Sequence, residues 1–282
     1  MTPVVSVCIP VFNGETHLGE TIESVLAQSF GDLELVISDN CSTDATVELV
    51  RRYTDPRIRL LESDRNVGAI GNWNRVRVEA RGRYVKLLAH DDVLYPSCLE
   101  RQVAPMEHDD DIVLVAGRRD VVDDAGRVLI AGRGLPGMSG RYRGLDTLRS
   151  IVRTGTNLIG EPPFSLIRRD ALERCKPLSD ERPYLVDVDL WCHLLQLGDL
   201  FALPETVGAF RVRLQSESVG AARTQGAQAR SLYRTLHEEL PGVVSSFDVL
   251  VGSLRAAWLA QMRRLLYSFM RLRARVFSPQ RS

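Results

Sequence analysis

The chain has 282 residues, 44% hydrophobic and 26% charged, with a formal net charge of zero; that leaves room for one large α/β domain or two small ones, and no global field favours nucleic acid or acidic partners. Five cysteines, Cys8, Cys41, Cys98, Cys175 and Cys192, are odd in number and widely spaced without a CxxC, which argues against a disulfide framework or a zinc site and for reduced thiols in a cytosolic setting. We expect no signal peptide, because strand-like residues follow Pro3 directly, and no spanning helix, because no run of about 18 apolar residues exists.

Residues 4–12 are apolar and β-branched, the pattern of a buried first strand. Asn13-Gly14 breaks it, and Leu18, Ile22, Val25 and Leu26 then recur at helical spacing. Residues 33–38 predict a second strand ending at Asp39-Asn40. Ser42 or Thr43 caps the next helix, and residues 58–61 predict a third strand. Asn66-Val67-Gly68 turns into a helix over about 70–80, closed by Gly82, and residues 84–89 form a fourth strand running into His90, Asp91 and Asp92.

Alternating strands and helices imply βαβ units and a mostly parallel sheet, in which ligands bind at the carboxyl ends of the strands. Those ends here hold residues 10–13, Asp39-Asn40 and His90 to Asp92. Adjacent carboxylates are costly to bury as bare anions. Hard divalent ions take such oxygen ligands and bridge them to phosphates, whereas helix N-cap acids give the same local pattern. The Asp91-Asp92 segment alone leaves both readings open; the convergence of three polar strand ends favours a binding site.

Downstream, residues 99–108 read as a helix, Asp109 to Asp111 as a solvated loop and 112–117 as a strand. A hairpin-like turn at 123–126 leads into 128–130, and the Gly- and Arg-rich stretch 132–144 reads as a loop. Residues 164–167 predict a strand, Asp170 a helix cap, 187–197 a helix stopped by Gly198, and 201–203 and 207–212 the last strands. Trp73 and Trp191 lie in amphipathic helices and are expected in the core. From about 222 the chain reads as helix only.

Taken together, residues 6–13, residues 38–44, Asn66-Val67-Gly68 with Asn72, and His90-Asp91-Asp92 resemble in order and spacing the family 2 glycosyltransferases of the GT-A fold. A second match, residues 186–191 with Gly198-Asp199 and Phe210 to Arg213, is similar to the family's later acidic helix and closing strand. The resemblance covers roughly residues 4–220. It implies an inverting transfer from a nucleotide-sugar, UDP-sugar first, to a hydroxyl of a glycan or lipid-linked acceptor in bacterial cell-surface polysaccharide synthesis, with Mg²⁺ or Mn²⁺. Carried over residue by residue, it places Pro10, Phe12 and Asn13 at the nucleotide and Asp39 at the base. Asn66 and Gly68 become turn residues that also touch the nucleotide. Asp91 takes the metal and diphosphate, flanked in the donor site by His90 and Asp92. Asp187 becomes the general base, and Arg211 and Arg213 belong to the phosphate side.

The chain departs from the family pattern at Ala89, where the first acid of a DxD motif is usual, at Val186, where Glu often precedes the base, and at Arg213, where His is common. Arg213 can pair with phosphate directly and reduce the dependence on metal. These losses keep an alternative in view, a catalytically weak or inactive nucleotide-sugar-binding subunit of an assembly complex. Asp187, and Asp189 beside it, also suit first-turn helix acids. A nicotinamide oxidoreductase ranks third, because no GxGxxG follows the first strand.

The tail from Arg255 to Arg281 holds seven arginines and no acids, interleaved with aromatic and aliphatic residues. A basic amphipathic helix of this kind suits a membrane surface, and equally a packed helix or a homodimer contact. The expected organisation is a GT-A-like, Rossmann-type α/β domain over 1–220, with a nucleotide-sugar half at 1–105 and an acceptor half at 106–220, followed by a helical extension at 221–282. Its expected place is the cytoplasm or the inner face of the cell membrane.

Overall fold

The structure, a computed structural model, describes residues 2–212 and 224–277, with side-chain surroundings described as far as residue 262. Strand and helix alternate first: β1 (Val5–Val11), α1 (Leu18–Leu26), β2 (Leu33–Asp39), α2 (Thr46–Arg51), β3 (Ile58–Leu61), α3 (Gly68–Val78) and β4 (Tyr84–Leu87). Then come β5 (Val93–Leu94), α4 (Cys98–His108), β6 (Ile112–Val122), β7 (Val128–Arg133), β8 (Gly140–Tyr142), α5 (Gly144–Thr154), β9 (Ser165–Arg168), α6 (Arg169–Arg174), α7 (Val186–Leu194) and β10 (Asp199–Arg211). The last elements are α8 (Gln225–Glu239) and α9 (Ser246–Phe277).

One sheet joins the strands in the order β3-β2-β1-β4-β9-β6-β10-β5, with β7 on β6 and β8 on β10. The pairs β1–β2, β1–β4, β2–β3 and β6–β10 are parallel, and β9 runs antiparallel between β4 and β6. Every residue of β1 is buried, as its mostly apolar sequence requires for a strand covered on both faces. Leu18, Ile22 and Val25 of α1 join Val5, Ile9, Leu35 and Ile37 in the core, so the helical period of the first motif is spent against the sheet. Trp191 is buried as expected.

Three elements differ from the sequence pattern. β6 continues through Asp120 to Val122, past Gly117. The strands expected at 201–203 and 207–212 are one strand, β10, whose register against β6 shifts between Ala202 and Thr206. Pro204 lies in that shift; it has no N–H to give a ladder, and a bulge lets the strand pass it. The stretch 132–144 contains β8 and leads into α5; its glycines at positive φ disguise the short strand.

The chain divides into two compact units. The first holds the sheet and α7. The second is made of 149–157, 182–185 and the helices α8 and α9. Arg213 and residues 214–223 lie outside the described residues.

Candidate active site

Parallel pairing of β1 with β2 and β4 sets Val11 beside Asp39 and Cys8 beside Leu87. Residues 10–13, Asp39-Asn40 and the stretch after β4 therefore leave the sheet at one rim. Asn13 (φ 52°) and Cys41 (φ 64°) take left-handed turns there. The first two loops are stitched together: Asn13 N–H donates to Ser42 Oγ at 2.9 Å, and Asn13 Oδ1 accepts from Thr43 N–H at 2.9 Å. Asp44 Oδ1 accepts Thr46 N–H at 3.0 Å, and Ala45 occupies the N-cap position of α2, so neither Ser42 nor Thr43 caps that helix.

Asp39 is buried, with Oδ2 accepting Ser42 N–H at 3.0 Å and Oδ1 lacking any hydrogen-bond partner. An unpartnered buried acceptor is costly and marks a place where a ligand donor can bind. Asn40 Nδ2 donates to Asn66 Oδ1 at 2.9 Å, and Asn66 Oδ1 also accepts Gly68 N–H at 2.8 Å. Gly68 has φ 79°, a left-handed turn that suits glycine. The Phe12 ring stands exposed at the same rim.

His90 packs its ring against Gly14, where a Cβ would lie 2.9 Å from the His90 ring, and its carbonyl accepts from Thr21 Oγ at 3.0 Å. Asp91 is half-buried. Asp92 is turned into the protein: Oδ1 accepts Arg211 N–H at 2.9 Å, while Oδ2 is buried without a partner. Burial, then the neighbouring Asp91 charge, hold the Asp92 carboxyl well above the usual range.

Arg211 corrects the sequence expectation. Its guanidinium is buried and donates to Glu20 Oε2 (2.6 Å), Asp91 O (3.0 Å) and Asp124 O (2.9 Å). It ties α1, the Asp91-Asp92 loop and the β6–β7 turn together, and its donors are already committed to protein rather than phosphate. Arg213, the other arginine assigned to the phosphate side, lies outside the described residues.

Asp187 opens α7, and the sequence reading missed its two neighbours. Glu161 follows Gly160 and is half-buried, and the buried Arg119 reaches it from β6 as an ion pair. Arg119 Nη1 also donates to Arg133 O at 3.2 Å. Gly134 (φ 107°) and Gly160 (φ 109°) flank that guanidinium, and a Cβ on either would collide with it. Trp191 of α7 donates Nε1–H to Gly160 O at 2.9 Å, which fixes the Glu161 segment against the helix that carries Asp187. Lys86, fully buried in β4, donates Nζ to Pro163 O and Ser165 O, both at 2.9 Å, and pins the same segment from below.

Burial and then the charge of Glu161 push the Asp187 carboxyl up to about 7, with Arg119 pulling the other way. Glu161 raises Asp92 as well, so one acid links the loop after β4 to the first turn of α7. The signal that could have revealed Glu161 is the Gly160-Glu161-Pro162-Pro163 run, in which a charged residue sits in a stiff turn.

Among the described residues no three of His, Cys, Asp and Glu form a cluster able to hold a metal ion. Asp91 offers carboxylate oxygens, and Ala89 offers only its backbone carbonyl. This donor set fits a cation held chiefly by diphosphate and water, as Mg²⁺ often is, and not a protein cage.

The model of Glycosyl transferase family 2 matches residues 6–176. The chain is 32% identical over 236 residues to the putative glycosyltransferase EpsE of Bacillus subtilis (strain 168), covering 78% of this chain and 80% of EpsE. It is 38% identical over 133 residues to the succinoglycan biosynthesis protein ExoO of Rhizobium meliloti (strain 1021), covering 47% of this chain and 36% of ExoO. Among solved structures, S. aureus TarS 1-349 in complex with UDP-GlcNAc superposes with a TM-score of 0.63 at 18% identity, over 84% of this chain and 66% of that one. The mannosyltransferase PcManGT from Pyrobaculum calidifontis, in complex with GDP-Man and Mn2+, superposes with a TM-score of 0.59 at 17% identity, over 96% of this chain and 81% of that one. At these identities the two structures speak for the fold.

Proposed function

Because the chain belongs to Glycosyl transferase family 2, we propose that it transfers a sugar from a nucleotide-sugar, UDP-sugar first, to a hydroxyl of a glycan or lipid-linked acceptor, with inversion, in bacterial cell-surface polysaccharide synthesis. The observation that carries the reading is Asp187, a carboxyl raised to about 7 on an element separate from the Asp91 loop. A base poised near neutral pH is matched to taking a proton from an attacking hydroxyl.

In this reading the base of the nucleotide stacks on exposed Phe12 and donates to Asp39 Oδ1. Pro10, Asn13, Asn66 and Gly68 shape the slot, and His90 and the buried Asp92 hold the Asp91 loop that faces the diphosphate. Asp91 would hold Mg²⁺ or Mn²⁺, which when bound neutralises charge on the departing diphosphate. The acceptor oxygen forms its bond to C1 on the face opposite the diphosphate as the C1–O bond breaks. The hydroxyl proton passes to an Asp187 oxygen, and the nucleoside diphosphate leaves with the bonding pair. Attack from the opposite face requires base and diphosphate on two sides of the sugar, which two separate loops can supply.

Calorimetric titration with UDP and GDP, with and without Mn²⁺, tests the donor site. One nucleotide should bind, more tightly with Mn²⁺, and Asp91→Asn should remove the gain; absence of binding by either would end the assignment. The alternative, a binder with little or no catalysis, draws on Ala89 and the lack of a three-ligand cluster. Turnover of a donor sugar by the wild type, lost in Asp187→Asn while binding persists, rules it out.

A further inference from the structure

The second unit holds a helix that presents the wrong residues to solvent. α9 starts at a reciprocal cap: Ser245 Oγ accepts Asp248 N–H at 3.2 Å, and Asp248 Oδ2 accepts Ser245 N–H at 3.0 Å. Asp248, fully buried, also takes Arg149 Nε at 2.9 Å and pairs with Arg153 Nε at 3.2 Å. These bonds fix which way the helix faces. Its inward side carries small residues, Gly252, Ser253, Ala256 and Ala260, all buried. A Cβ on Gly155 would lie 2.7 Å from Ala256 N, so backbone meets backbone there.

The outward side carries Phe247, Leu250, Leu254, Trp258 and Met262, each 46% to 63% exposed. Their spacing of three, four, four and four residues keeps them on one stripe of the helix. Scattered exposed apolar residues need no explanation, but a contiguous stripe of five does. In the sequence, Leu265, Phe269, Leu272 and Val276 continue the same spacing. From Arg255 onward the chain adds seven arginines and no acid. No described helix is long and apolar enough to cross a membrane.

We propose that α9 docks this stripe onto an anionic lipid bilayer, with Trp258 and its apolar neighbours in the headgroup boundary, and that the arginine-rich, acid-free sequence from Arg255 onward supplies the positive charge that favours anionic lipid. A helix with large apolar residues on one face and an arginine-rich sequence without acids is matched to that surface in both apolar area and charge. A soluble packing partner without an acidic surface would meet the apolar stripe but not the positive charge that follows it in the sequence. The proposal needs no sugar transfer, so its failure leaves the donor-site reading untouched.

The test is flotation of the full chain with phosphatidylcholine vesicles, with and without phosphatidylglycerol. The chain should float with the anionic vesicles, roughly ten-fold less with the neutral ones, and the Trp258 emission should shift to the blue. The Leu254→Glu/Trp258→Glu variant should stay at the bottom of the gradient while unfolding at the wild-type temperature. Failure of the wild type to float on anionic vesicles overturns the proposal without recourse to any variant. Equal flotation of the double variant also overturns it. So does a dimer by light scattering that the double variant dissociates while neither form floats, since a second copy then covers the stripe.

Discussion

Asp187 has two consequences that pull in opposite directions. Its folded-state pKa, about 7 against an ordinary 3.8, means that the folded chain holds this proton more tightly than the unfolded chain. The carboxyl's contribution to stability is present in acid and is lost as pH rises through about 7. Asp187→Asn cannot ionise, so this variant should melt higher than the wild type in mildly alkaline buffer and no higher in acid, as read by thermal unfolding across pH. Glu161 raises that pKa by its charge. Glu161→Gln should therefore move the acidic limb of the activity profile to lower pH, and an unmoved limb would show that burial alone sets the base. Arg211 acts on position: removing its guanidinium in Arg211→Met should cost about 2 kcal/mol in urea denaturation, because several donors to the Asp91 loop and α1 vanish together.

At the scale of elements, the segment 158–165 is held from three directions, by Trp191, Arg119 and Lys86. Two glycines at positive φ make room for the Arg119 guanidinium. Gly160→Ala meets both a left-handed backbone and a Cβ 2.5 Å from Arg119 Nη1, and should cost about 3 kcal/mol or more. Gly137→Ala shares the positive φ of 71° but has open space around its Cβ, so its cost should stay near 1 kcal/mol; equal losses in denaturant melts would show that strain alone governs both. This segment also marks where the sequence stopped being legible. The rim of β1, β2 and β4 could be read because strand ends fall at breaks in apolar periodicity, and Asp39, Asn66 and Asp91 came with them. Glu161 and Arg119 are brought together by β6, a glycine-rich loop and α7 across long sequence separation, and no local period encodes that. Lys86 is the one charged residue within β4, and it is buried because the carbonyls of Pro163 and Ser165 accept from it. Arg211 was assigned to phosphate because a pattern shows residue type and spacing but not which acceptors a guanidinium has already found.

At the scale of the molecule, the first unit joins a polar rim at the ends of parallel strands to an acid-bearing helix, α7, through the sheet order β4-β9-β6-β10. In the second unit α9 turns its small residues inward and leaves Phe247, Leu250, Leu254, Trp258 and Met262 exposed. The central claim is that Asp187 is the base of a sugar transfer. The measurement that tests it most directly is nucleoside diphosphate release from a panel of UDP- and GDP-sugars, followed as a function of pH in the wild type and Asp187→Asn. Release by the wild type should rise with pH to half its maximum near about 7, and should fall at least about 100-fold in Asp187→Asn with nucleotide binding intact. A variant that turns over donor as fast as the wild type, or a profile flat through neutrality, would contradict the account.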